Sequence, residues 1–125
     1  MAFTRERQVP ANGLDFFVAE AGEAGVPLVL CLHGFPECWA SWRYQLPVLA
    51  QSGYYAVAPD LRGYGFTGGP KEVDAYRQSL LVEDVMALIQ ALGYESAILM
   101  GHDWGCGLAW QVARQYPQAI KAVIG

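Results

Sequence analysis

Residues 96–116 read Ser96-Ala-Ile-Leu-Met-Gly101-His102-Asp103-Trp104-Gly105-Cys-Gly-Leu-Ala-Trp-Gln-Val-Ala-Arg-Gln-Tyr116, and their order decides the fold. The first five residues are mostly apolar and fit a buried strand. Leu108, Ala109, Val112 and Ala113 recur at helical spacing, and Pro117 is a stop signal. Between strand and helix stands a Gly-x-x-x-Gly turn. Glycines on both sides of a sharp strand-to-helix turn permit close backbone packing and unusual dihedrals. The apex residue is then directed outward, above the carboxyl end of the sheet. In the usual form of this elbow the apex is Ser; here it is Asp103.

Upstream, the chain reads as strands alternating with helices after an opening hairpin. Thr4–Val9 and Leu14–Ala21 alternate weakly and flank Asn12-Gly13, the strongest hairpin dipeptide. Pro27–Leu32 is a continuous apolar run, as expected of a strand covered on both faces, and it ends in His33-Gly34-Phe35-Pro36. Residues 38–51 are helical in composition, with Trp39, Trp42 and Leu46 on one side, and Pro47 is expected to kink or split the segment. Gly53 is a C-cap, and residues 54–58 form a fourth strand ending in Pro59-Asp60. The glycine-rich residues 61–70 are a loop. Leu81, Val85, Leu88 and Leu92 give residues 76–92 an apolar helical stripe, closed by Gly93. The pattern is that of an α/β domain with a mostly parallel sheet.

Composition narrows the function. The chain has 125 residues, 54% of them hydrophobic, which suits one modest domain with a real core and argues against disorder. A net charge of −4 disfavours a nucleic-acid partner. The longest apolar run, residues 26–32, is too short for a membrane span, and the opening Met-Ala-Phe-Thr-Arg-Glu-Arg has no apolar signal core. Cys31, Cys38 and Cys106 are odd in number and lack metal-like spacing, so they read as reduced thiols in a cytoplasmic protein. The closing Lys121-Ala-Val-Ile-Gly125 reads as a buried strand just beginning, which suggests the N-terminal part of something longer.

An Asp at the start of a helix sits at its positive end, which favours the carboxylate by about 0.3–1 kcal/mol. Aspartate is ionised at neutral pH without help, and such a carboxylate is a competent nucleophile. Its attack on a saturated carbon leaves an ester on Asp103. Hydrolysis of that ester generates an oxyanion that needs donors. The elbow offers the Trp104 backbone N–H, and the loop after the third strand offers the Phe35 N–H. The Phe35-Pro36 bond is a candidate cis peptide. Against this stands the ordinary case, an Asp that merely caps its helix. The pentapeptide alone favours the cap; the preceding strand, the following helix and the upstream His-Gly-Phe-Pro favour the nucleophile.

These residues resemble the α/β-hydrolase-fold epoxide hydrolases. The resemblance covers nearly the whole chain. It rests on His33-Gly34-Phe35-Pro36-Glu37 with Trp39 and Trp42, on Asp60-Leu61-Arg62-Gly63-Tyr64-Gly65, and on Gly101-His102-Asp103-Trp104-Gly105. It implies the N-terminal half of an α/β-hydrolase fold. That is a mostly parallel sheet opened by an antiparallel hairpin, with helices on both faces, and residues 1–125 forming part of a single core domain that lacks its cap and C-terminal part. It further implies Asp103 as the nucleophile opening an epoxide to a vicinal diol, Phe35 and Trp104 as backbone oxyanion donors, and Phe35, Pro36 and Trp104 as pocket wall. In that family a His oriented by an acid activates water, and two cap tyrosines polarise the ring oxygen. These partners lie later in chain order than Gly125, and neither His33 nor His102 matches the base. The 125 residues alone are therefore expected not to turn over epoxides and, with a bare strand edge, to aggregate. The implied partner is a small-molecule epoxide, with no metal or organic cofactor; oligomeric state is not readable.

Other readings stay open. Haloalkane dehalogenases resemble this chain in fold and also place Trp after the nucleophilic Asp. Many carry Asn where Phe35 stands, a halide donor that Phe cannot replace. Fluoroacetate dehalogenases typically carry Arg where Trp104 stands, and serine esterases are disfavoured by Asp103 itself. An inert hydrolase fragment with a structural or binding role is the non-enzymatic alternative. Trp39 and Trp42 read as packing, Asp60 and Arg62 as loop tethers, His33 as a hydrogen-bonded structural histidine and Glu37 as loop-stabilising. His102 reads as a spacer, and Cys106 as small packing at the elbow helix.

Overall fold

The structure is a computed structural model that describes residues 4–125; of the charged opening stretch, Met1–Phe3 lie outside them. Strands β1 (Arg5–Ala11) and β2 (Leu14–Ala21) pair antiparallel, with Ala11 opposite Leu14. Asn12 (φ 48°) and Gly13 (φ 80°) both take positive φ, the two-residue turn that matches strand twist.

Strands β3 (Leu28–Leu32) and β4 (Tyr55–Pro59) are buried at every residue, which accounts for their unbroken apolar sequence. With β5 (Ala97–Gly101) and β6 (Ile120–Ile124) they complete a six-stranded sheet of order β1-β2-β4-β3-β5-β6. Strand β2 runs antiparallel to β1 and β4, whereas β4, β3, β5 and β6 are mutually parallel.

Between β3 and β4 the segment expected to kink or split at Pro47 is two pieces, a 3-10 turn at Trp39–Trp42 and helix α1 (Gln45–Gln51). The division falls before Pro47. Pro47 is the third residue of α1, where its missing N–H would have no intrahelical partner anyway. Trp42 and Leu46 nevertheless share one apolar cluster with Ala19, Val29, Cys31 and Ala56. Helix α2 spans Gln78–Ala91, starting later than its sequence suggests because Val73–Tyr76 forms a separate 3-10 turn and Arg77 is extended. Gly93 ends it with φ 87°. Helix α3 is Trp104–Gln115.

Helices α2 and α3 bury Val85, Leu88, Ile89, Leu108 and Val112 against Phe16, Leu30 and Leu99 on one face of the sheet, and α1 covers the other. Right-handed crossovers require this division, since the chain moves one way from β3 to β4 and the opposite way through β5 to β6. The reversal makes a crevice between the carboxyl ends of β3 and β5, the place where such sheets bind ligands.

Candidate active site

At that crevice the chain leaves β5 through Gly101 and His102 and enters α3 at Trp104. The turn residue Asp103 has φ 59° and ψ −122°, a conformation that costs a non-glycine residue about 1–3 kcal/mol. The two glycines make this bend possible. A Cβ on Gly101 would come within 2.5 Å of the Gly105 carbonyl oxygen, and one on Gly105 would collide with the Leu32 and His33 carbonyls. The elbow is therefore pressed against the end of β3.

The Asp103 side chain is exposed and makes no capping bond to α3. Instead its Oδ2 accepts a hydrogen bond from the Phe35 N–H at 3.4 Å. The cap reading of this residue thus fails on geometry. Trp104 is the first residue of α3, so its amide belongs to the four N–H groups without an intrahelical acceptor. Gly34 lies so near the elbow that a Cβ there would sit 2.5 Å from Asp103 Cβ and 2.9 Å from Oδ2.

The loop after β3 is held from three directions. Glu37 N–H donates to the Gly34 carbonyl at 2.9 Å, and Glu37 Oε1 accepts the Gly34 N–H at 2.9 Å. His102 Nδ1 lies 3.3 Å from the same Oε1. The Gly34 N–H, and after it His102, hold the Glu37 carboxyl below its ordinary range. On the buried side, His33 Nε2 accepts the Leu61 N–H at 2.9 Å, while Nδ1 lies 2.9 Å from the Gly34 carbonyl oxygen. A carbonyl only accepts and an amide N–H only donates, so the ring is neutral with its proton on Nδ1. Burial pushes His33 below the usual histidine value, against smaller raising effects from the Gly34 carbonyl, Asp60 and Glu37. The Phe35-Pro36 peptide is cis.

The loop after β4 completes the rim. Asp60, fully buried, accepts from the Trp39 N–H at 2.8 Å and the Phe66 N–H at 2.9 Å. Arg62 grips Asp84 of α2 through Nε at 2.8 Å and Nη2 at 2.9 Å. So tethered, the loop brings Tyr64 edge-on to His33, ring centroids 4.9 Å apart, and to Phe35 at 6.3 Å. Asp103 itself faces an open depression of about 480 Å³ that it shares with Trp104, Leu108, Gln78 and Gln111, and Phe35, Tyr64 and Trp104 line an apolar recess of about 300 Å³. Phe35 and Trp104 are 60% and 75% exposed there, unusual for large apolar side chains on a water-facing surface. A further cavity of about 240 Å³, between Tyr64, Tyr76, Leu81 and Leu108, adjoins it through Trp104.

The sequence profile of the alpha/beta hydrolase fold family matches residues 27–125. The chain belongs to the α/β-hydrolase fold family. Among relatives in this family, epoxide hydrolase A of Mycobacterium tuberculosis is 42% identical over 123 residues, covering 98% of this chain and 38% of that protein. Epoxide hydrolase 3 of Mus musculus is 46% identical, covering 93% of this chain and 31% of that protein. The crystal structure of epoxide hydrolase A from Mycobacterium thermoresistibile matches with a TM-score of 0.94 at 45% identity, over 97% of this chain and 38% of that one. The chain thus spans well under half the length of the α/β hydrolases it matches, and its similarity to epoxide hydrolases extends over nearly all its residues.

The α/β-hydrolase frame brings together Asp103, Phe35 and Trp104 of the four residues singled out from sequence, whereas Pro36 lies in the same loop but is not among the residues lining the recess. Sequence reasoning missed Tyr64 as a wall residue. Its signal was available, an aromatic in a glycine-rich loop at the carboxyl end of a strand, but that stretch registered only as a motif. The contact between His102 and Glu37 was also missed, because nothing in either motif pairs the two positions. The readings of His33, Glu37, Asp60 and Arg62 as structural agree with the contacts found.

Proposed function

We propose that the protein carrying this chain opens epoxides to vicinal diols through a covalent ester on Asp103. The observation that carries this reading is the carboxylate at the elbow. It leaves its own helix uncapped and places Oδ2 at the Phe35 amide. Oδ1 attacks a ring carbon, the carbon–oxygen bond of the ring breaks, and the released alkoxide takes up a proton. Oδ2 becomes the ester carbonyl oxygen, which starts at the Phe35 amide, with the Trp104 amide at the head of α3 as the second donor in this reading. Water then adds to that carbonyl, the amides stabilise the oxyanion, and collapse frees the diol and regenerates the carboxylate. Each such donor is worth about 2.7–4 kcal/mol in the transition state. The water-activating base and the groups that polarise the ring oxygen belong, by resemblance, to the remainder of the protein.

Two facts support ring opening over dehalogenation. The similar proteins are named epoxide hydrolases, and Phe35 offers no side-chain donor for a departing halide. The test is trapping. The full-length protein with its base removed is expected to gain the mass of one epoxide on the peptide carrying Asp103, and Asp103→Asn to gain none. An unlabelled Asp103 in a protein that still turns over epoxide would defeat the reading.

A further inference from the structure

We propose that His33 is a positioning residue for ester hydrolysis, because it fixes the plane of the peptide that supplies the Phe35 N–H. The inference rests on the reading of Asp103 and Phe35 given above. The Gly34 carbonyl and the Phe35 N–H belong to one trans peptide unit, so they point in opposite directions. On one side the carbonyl faces His33 Nδ1 at 2.9 Å. On the other, the N–H faces Asp103 Oδ2 at 3.4 Å. Rotating this peptide to loosen the first contact swings the N–H away from the second.

The imidazole cannot itself drift. Its Nε2 is tied to the Leu61 N–H at 2.9 Å, its ring is buried with 1% exposure, and the edge of Tyr64 packs on it. Leu61 is in turn anchored, since neighbouring Asp60 is fixed by Trp39 and Phe66. The loop after β4 therefore sets the aim of a donor carried by the loop after β3. Glu37 N–H also reaches the Gly34 carbonyl, but from within the same loop. His33 is the side chain that meets that carbonyl directly and ties it to the end of β4.

The two half-reactions separate this role from mere support of the fold. Alkylation of Asp103 forms no oxyanion on the carboxylate, whereas hydrolysis of the ester does. In the full-length protein, His33→Gln keeps an acceptor for Leu61 but has no donor at the Nδ1 position that faces Gly34. His33→Asn keeps an Nδ1-like donor. Deleting an oxyanion donor costs about 10²–10³-fold, so misaiming one in His33→Gln is expected to slow ester hydrolysis about 10- to 100-fold while alkylation stays within about twofold. His33→Asn, which keeps the Gly34 contact but lacks the Leu61 tie, should recover part of that loss. Equal slowing of both half-reactions, unchanged hydrolysis in His33→Gln, or no recovery in His33→Asn would overturn the inference. A measurement on the unsubstituted protein is independent of folding defects. Nitrogen NMR of the His33 ring should show a proton on Nδ1 and none on Nε2 at pH 7, and the opposite tautomer would also overturn it. Failure of the parent protein to alkylate at Asp103 would instead bring down the underlying reading, and this inference with it.

Discussion

Gly34 shows how little room the site leaves. An added methyl would press on Asp103 Cβ at 2.5 Å and Oδ2 at 2.9 Å, and neither Asp103 nor Gly34 can retreat from a loop pinned by Glu37 and His33. Gly34→Ala is therefore expected to displace the carboxylate from the Phe35 amide. A misplacement of about 1 Å at a reacting group costs roughly 10²-fold, so epoxide turnover by the full-length protein should fall by that order, with a stability loss of about 1–3 kcal/mol from overpacking. Steady-state kinetics and denaturant melts measure both. His33 adds a pH dependence. Burial lowers its value in the fold, while Asp60 and Glu37, the charged groups facing it, oppose this only in part, and Tyr64 packs on its ring. Between the folded value and the unfolded value near 6.5, the unfolded chain binds more protons, so stability rises with pH there. Stability should accordingly fall as pH drops below about 6.5, with a slope of at most about 1.4 kcal/mol per pH unit from this group, and His33→Asn should flatten the slope. Denaturation midpoints measured from pH 5 to 8 check it. An unchanged slope in the variant would show that some other group carries it.

The rim loop and helix α2 are joined by one buried ion pair. Arg62 and Asp84 are 7% and 2% exposed, and Asn12 of the hairpin turn donates a further bond to Asp84 Oδ1 at 2.8 Å. Asp84→Ala leaves a guanidinium buried without its partner and is expected to cost about 3–5 kcal/mol, whereas an Arg62→Met/Asp84→Leu double variant should recover most of that. Thermal melts of the single and double variants check the coupling. This pair also marks where sequence reasoning stops. Leu81, Val85, Leu88 and Leu92 revealed the helix by period, but Asp84 sits inside the same buried face and breaks the pattern, so its burial needs a partner supplied from 22 residues away. Strands β2 and β3 were legible because alternation and an unbroken apolar run are local signatures. The elbow was legible because its glycines, its apex and its flanking periods lie within 21 consecutive residues. Tyr64 and the Glu37–His102 contact were not, since they exist only once the loops after β3, β4 and β5 are side by side. The division of residues 38–51 was placed at Pro47 because proline breaks helices in general; at the third position of α1 it breaks nothing.

At the scale of the whole sheet, the two edges differ. Strand β1 presents exposed Arg5, Glu6 and Arg7, together with Pro10, the kind of charged and donor-poor edge that discourages further pairing. Arg5 and Arg7 are moreover tied to buried Glu20 at 3.3 and 3.0 Å, which keeps those charges fixed on the edge. Strand β6 has Lys121 as its only charge, and Ile124 is 49% exposed. Beside it, Ile98 and Met100 of β5 are only partly buried on the sheet face that α1 covers elsewhere. An apolar, unblunted strand next to an incompletely covered face is a template for pairing with another chain. The 125-residue chain is therefore expected to self-associate, with β6 adding to β6 of a second copy. Sedimentation velocity should show an average mass that climbs with concentration through the micromolar range in which exposed edges aggregate. Ile124→Lys places a charge on the exposed end of β6 without touching the packed core, and should shift association to higher concentration while leaving the melting temperature of the monomer nearly unchanged. Arg7→Leu on the opposite edge should have no such effect on β6 pairing. A chain that stays monomeric at every concentration, or one whose association responds to β1 and not to β6, would show that the exposed edge at β6 is not what drives it.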